Sequence, residues 1–139
     1  MRLTLIALFL VTACLGTGCA TEETRAQKPS YTEHRGVHSG MRERVDFFFS
    51  VLPTCEISGY PEVRVLRAPR WGDVSVEKGE DYPTFPKENV RWDCNRKLTG
   101  STRVFYQSNP GFHGNDSFYI EVRFPDATLR TVTVLVEVL

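Results

Sequence analysis

The chain has 139 residues, 41% of them hydrophobic and 24% charged, a globular balance that excludes a wholly disordered protein. Its 17 Lys and Arg are matched by 17 Asp and Glu. The bases are spread along the chain rather than clustered, so the electrostatic footprint of a nucleic-acid binder is missing and no nucleic-acid partner is expected.

Residues 1–19 read as a signal peptide. Met1-Arg2 is a short positive start, residues 3–11 are apolar apart from Thr4, and residues 12–20 are small and weakly polar. The apolar run falls short of the about 20 residues that a membrane helix needs. Two kinds of cleavage compete. Gly16-Thr17-Gly18 before Cys19 resembles a bacterial lipoprotein signal, which would leave a lipidated Cys19 as the one membrane attachment. Val11-Thr12-Ala13-Cys14 fits the lipoprotein pattern better by residue type but leaves a very short signal. Ordinary cleavage after Ala20 would instead release a soluble periplasmic or secreted protein.

Residues 20–42 are polar and without period, which predicts a flexible tether. The domain is expected over residues 43–139. Val45, Phe47, Phe49 and Val51 alternate as a strand with one buried face, and Pro53 ends it. Val63 and Val65 predict a second strand, and Val74 and Val76 a third. A long loop follows over residues 78–89, with Pro83 and Pro86. Val90, Trp92 and Cys94 predict a fourth strand and residues 104–106 a fifth. Phe118, Ile120, Val122 and Phe124 form the clearest strand, and Val132, Val134, Val136 and Val138 the last. Phe48 and Leu135 break strict alternation, which suggests a second face that is also partly covered. Trp71 and Trp92 read as core residues. Seven short strands with no helical period outside the signal predict an all-β sandwich or barrel.

Of the four cysteines, Cys14 and Cys19 belong to the signal region, which leaves Cys55 and Cys94. An even pair in an exported domain reads as a disulfide, closing a loop whose chain-entropy contribution is roughly 4 kcal/mol. It could staple the two sheets together or a loop onto a sheet.

The run from Tyr106 through Gly111-Phe112-His113-Gly114-Asn115-Asp116-Ser117-Phe118, followed by an alternating strand, a turn and a valine-rich strand, resembles bacterial immunoglobulin-like or cadherin-like repeat domains. Upstream, Val63 to Val74 looks like the same family's strand, proline, glycine, strand hairpin. The resemblance covers about residues 60–139. It implies a seven-stranded immunoglobulin-like (cadherin-like) sandwich, here in single copy with one disulfide. Gly111 and Gly114 would permit positive φ, Phe112 and Phe118 would plug the core, and Asp116 would cap backbone N–H groups. These residues, with Tyr106, mark the fold and name no ligand.

No catalytic unit is visible. His34 and His38, four apart beside Glu33, lie in the expected tether with Gly36, and His113 sits in a glycine-rich turn without a paired nucleophile. Asp116, Asp126, Glu80 and Asp81 are acidic but form no calcium-loop pattern. No metal site or cofactor is expected. Tyr82 and Phe85, in a proline-stiffened loop, are the candidate recognition residues. The expected function is a non-enzymatic exported module that contacts an envelope or extracellular protein or a glycan. The alternative is a secreted inhibitor of a hydrolase.

Overall fold

The computed structural model describes residues 30–139. The signal segment, Cys14, Cys19 and residues 20–29 of the expected tether lie outside the described residues. The fold is all-β with two sheets. Its strands are β1 Ser30–Val37, β2 Arg42–Phe49, β3 Glu62–Arg67, β4 Gly72–Asp81, β5 Thr99–Ser108, β6 Gly114–Arg123 and β7 Leu129–Val138. One sheet has the order β1-β7-β6-β3 and the other β2-β5-β4. All pairings are antiparallel except that of β1 with β7.

The core lies between the sheets. Phe118, Ile120 and Val122 of β6 and Val132, Val134, Val136 and Val138 of β7 face Val104 and Tyr106 of β5 and Val45 and Phe48 of β2. Strict alternation along β6 and β7 puts every second side chain on this face. Each fully buried side chain of this size contributes about 1.5–3 kcal/mol.

Four expectations are corrected. Residues 30–37, placed in a flexible tether, form β1, so the sandwich already includes Ser30–Val37 rather than beginning at residue 43. The strand is polar because it sits at a sheet edge and is held by backbone pairing to β7, with Val37 alone fully buried. In β2 the inward aromatic is Phe48, and Phe47 and Phe49 face outward. A β-bulge between Arg44 and Asp46 inserts Val45 and reverses the facing of everything after it. The segment Val63 to Val74 is no hairpin, since β3 pairs with β6 and β4 with β5, so residues 68–71 carry the chain from one sheet to the other. Val90, Trp92 and Cys94 form no strand. They lie in a turn and a 3₁₀ helix, Trp92–Arg96, and Trp71 and Trp92 are each 40% exposed.

The crossing at residues 68–71 explains the glycine and acid of the motif region. A Cβ on Gly72 would lie 2.4 Å from the Gln107 carbonyl oxygen and 2.8 Å from the Tyr106 ring, so only glycine lets the chain pass there. Asp116, 8% exposed, accepts from the N–H of Arg70 (3.0 Å) and Ser117 (2.8 Å) on one oxygen. Its other oxygen accepts from the N–H of Trp71 (2.8 Å) and the Tyr106 hydroxyl (2.9 Å). One carboxylate thus ties β6, β5 and the crossing together. Gly111 and Gly114 have φ of 77° and 126°, Phe112 stacks on Trp71, and Phe118 stacks on Tyr106. Burial and the hydrogen bond to Asp116 push the Tyr106 hydroxyl pKa up, so it stays a neutral donor.

Candidate functional site

The Cys55–Cys94 disulfide joins two connections at one end of the sandwich, a loop to a loop. Cys55 lies in residues 50–61, between β2 and β3, and Cys94 in residues 82–98, between β4 and β5. Neither connection is free to move independently of the other.

The first connection is a tight excursion. Leu52 N–H donates to the Glu56 carbonyl, Cys55 N–H to that of Leu52, and Ser58 N–H to that of Ser50. The second is folded on itself. Asn95 accepts the Phe85 N–H on Oδ1 and donates from Nδ2 to the Phe85 carbonyl, both at 2.9 Å, which copies a strand pairing with one side chain. Arg91 crosses back and donates to the Val51 carbonyl at 2.7 Å. Phe85 packs edge-on against Phe49, 5.1 Å between ring centres. At the base, Asp81 is bound by Arg44, Arg103 and Ser101. Burial raises the Asp81 carboxyl pKa, but the Arg103 and Ser101 hydrogen bonds and the Arg44 charge outweigh it and hold it below the usual range.

The two aromatics singled out in sequence have opposite fates. Phe85 is structural, folded back on Phe49. Tyr82 is 54% exposed. Around it the end also exposes Leu52, Ile57 and Tyr60 from the first connection and Val90 (77% exposed), Trp92 and Leu98 from the second. Val90 and Trp92 escape a pattern reading because they alternate with polar residues as strand residues do. The signal against a strand was local: Pro83, Pro86 and Asn89 crowd the preceding residues.

A lateral slot of about 640 Å³ opens beside this end, between the edge strands β1 and β2. Tyr31 and Arg35 of β1 and Asp46 of β2 line it, with Phe49, Phe85 and Phe124 at the mouth. The bulge turns Asp46 toward it. Burial pushes the Asp46 pKa up to about 6, with Glu33 adding to the rise and the Phe47 N–H, Arg35 and Arg44 opposing it. Burial, then Asp46 and Glu33, push Tyr31 up to about 12.

The other candidates stand apart. His34 is exposed on β1, His38 pairs with Glu43 at 2.8 Å, and His113 is in the turn before β6. The His38 backbone N–H, followed by its side chain, lowers the Glu43 pKa. Asp116 and Asp81 are occupied as described, and Asp126 accepts the Thr128 N–H. Among the described residues no three His, Cys, Asp or Glu are grouped to hold a metal ion. No helix among them is long and apolar enough to cross a membrane.

No family model matches the chain, and no curated protein matches it. Among solved structures, the solution structure of amebosin is similar at 16% identity, covering 81% of this chain and 99% of that one. Its TM-score of 0.40 is too low to bear on fold identity or function.

Proposed function

We propose that the protein is a non-enzymatic exported module with an immunoglobulin-like, cadherin-like sandwich, and that its disulfide-joined end contacts an envelope or extracellular protein or a glycan. Export is supported by the layout of residues 1–20, and the immunoglobulin-like reading by the motif from Tyr106 to Phe118 on two facing sheets. The observation that carries the contact reading is the concentration of exposed apolar side chains. Half of the large hydrophobics exposed among the described residues lie on residues 50–61 and 82–98: Leu52, Ile57, Tyr60, Tyr82, Val90, Trp92 and Leu98. Apolar groups held out by a disulfide and side-chain bonds lose little entropy on binding, and Trp and Tyr are the side chains that anchor interfaces.

A photo-crosslinking residue in place of Trp92 tests this. It is expected to capture one partner of defined mass in intact cells, while the same residue in place of Gln107, on the three-stranded sheet's outer face, captures none. Tyr82→Ala is expected to weaken the contact about tenfold without loss of fold. Phe85→Ala is a poor probe because Phe85 holds the loop on Phe49. Equal capture from both positions, or none from position 92, overturns the reading. A hydrolase as the captured partner, inhibited on binding, would turn the module into an inhibitor.

A further inference from the structure

Polar side chains are paired on both outer faces, as Arg64 and Glu121 are on the four-stranded sheet. On the three-stranded sheet they bond one another: Arg42 donates to Ser75 (3.2 Å) and Glu77 (3.1 Å) and lies 3.7 Å over the Phe105 ring, while Arg44 and Arg103 share Asp81. On the four-stranded sheet a depression of about 690 Å³ is lined by His34, Asn115, Ser117 and Glu137, together with Arg35, Arg70 and the already bonded Asp116. Its floor is a grid set by the strand register. His34, Leu135 and Ser117 stand side by side across β1, β7 and β6, and Gly36, Glu137 and Asn115 form the next row. Rows are about 7 Å apart along the strands and neighbours about 5 Å apart across them.

One side has a wall. The β3–β6 pairing stops at Arg67 and Tyr119, so the part of β6 that carries Asn115 and Ser117 has no strand beyond it. The crossing at residues 68–71 fills that place and stands Trp71 beside the grid. Its ring is backed by Phe112 at 5.3 Å, its backbone is held by Asp116, and the Arg70 guanidinium lies 4.9 Å from the ring centre. The wall is therefore preset. The side chains of His34, Asn115, Ser117 and Glu137 make no hydrogen bond within the described residues, and Gly36 leaves the end of the β1 edge low, with the Leu139 side chain beside it.

We propose that this depression is a binding site for a neutral saccharide. Planar amide, carboxylate and imidazole groups pair with vicinal hydroxyls, the Arg70 guanidinium over the Trp71 ring presents further donors at the wall, and the Leu135 floor, which is 36% exposed, takes an apolar face of a sugar ring. The charges of the lining balance, Arg35 and Arg70 against Asp116 and Glu137, so it favours neither sign and suits an uncharged ligand. β7, in the middle of the floor, is paired on both sides, so a ligand lying there meets side chains and no free backbone. The site shares no residue with the disulfide-joined end, so it stands or falls separately from the contact assigned to that end.

The chain has two tryptophans, so Trp92→Phe leaves Trp71 as the sole reporter. Titration with chitotriose, cellotriose and maltotriose is expected to give a saturable change in Trp71 emission with at least one of them at up to about 10 mM. Amide shifts in the ¹⁵N spectrum of the unsubstituted domain are expected on Gly36, Asn115, Leu135 and Glu137. Asn115→Ala and Glu137→Ala each weaken binding about tenfold with an unchanged melting curve, and Tyr82→Ala leaves it unaltered. No saturable change with any of the three sugars overturns the proposal. Shifts confined to residues 50–61 and 82–98 overturn it as well, and would instead make the disulfide-joined end the glycan contact.

Discussion

At one end of the sandwich, residues 50–61 and 82–98 are joined by a covalent bond and braced by Asn95 and Arg91. At the other, residues 68–71 are held chiefly by hydrogen bonds to the Asp116 carboxylate, and Phe112 of the 109–113 turn is stacked on Trp71. The ends differ in what they bury. The Asp116 end sinks its fastening into the core, where Tyr106 is fully buried beside it, and so couples loop geometry to the stability of the whole domain. The disulfide end fastens loop to loop through the buried Cys94, and much of its apolar surface stays outside. A covalent tie allows a surface to remain apolar and ordered over a small buried base, here Val51, Pro61 and Cys94.

The largest expected effect breaks the Asp116 end. Asp116→Ala removes the acceptor of three backbone N–H groups and of the buried Tyr106 hydroxyl, and is expected to cost about 3–5 kcal/mol by denaturant unfolding. Asp116→Asn retains one acceptor oxygen and is expected to lose about half as much. A loss below about 1 kcal/mol for alanine would mean that water replaces the carboxylate and that the two ends are not fastened differently after all.

The double substitution Cys55→Ser, Cys94→Ser is expected to cost about 2–4 kcal/mol. Its distinguishing mark is local. Amide exchange is expected to quicken in residues 50–61 and 82–98 while the amides of Arg70 and Trp71 keep their protection relative to global unfolding. Uniform loosening of both ends would show that the disulfide acts only through the unfolded chain.

What could be read from sequence follows the same division. Strands β6 and β7 were legible because Phe118, Ile120 and Val122, and the valines from 132 to 138, alternate against a single core. The disulfide was legible from cysteine number and the signal-like layout of residues 1–20. Strand β1 was not, because Tyr31, Glu33 and Arg35 line a polar slot and the strand is held through its backbone. The inward side of β2 was not, because the one-residue insertion at Val45 that turns Phe48 inward leaves no mark in a run of three phenylalanines. Of the candidate site, only Tyr82 was found. Trp92 was read as core because size and hydrophobicity do not say which side of a stapled loop a ring occupies.

The smallest expected effect concerns a carboxylate that neither end fastens. Asp46 accepts only its neighbour's N–H on one oxygen, and Oδ2 has no hydrogen-bond partner among the described residues. Its pKa is raised to about 6, mainly by burial, so the folded chain keeps this proton to higher pH than the unfolded chain does. The stability that the proton confers is complete below the unfolded value of about 4, declines as pH rises toward about 6, and is gone above that, a loss of order 2 kcal/mol. Asp81 acts with the opposite sign. Its pKa is held low by Arg103, Ser101 and Arg44 against the cost of burial, so its contribution is present above the unfolded value and fades as pH falls. Asp46→Asn separates them. The variant is expected to equal the parent near pH 4, to exceed it by about 2 kcal/mol at pH 7, and to keep the loss of stability at acid pH that Asp81 imposes. A constant difference between the two proteins across that range would mean that Asp46 finds a partner in the slot, and that the gap between β1 and β2 is as well fastened as the ends.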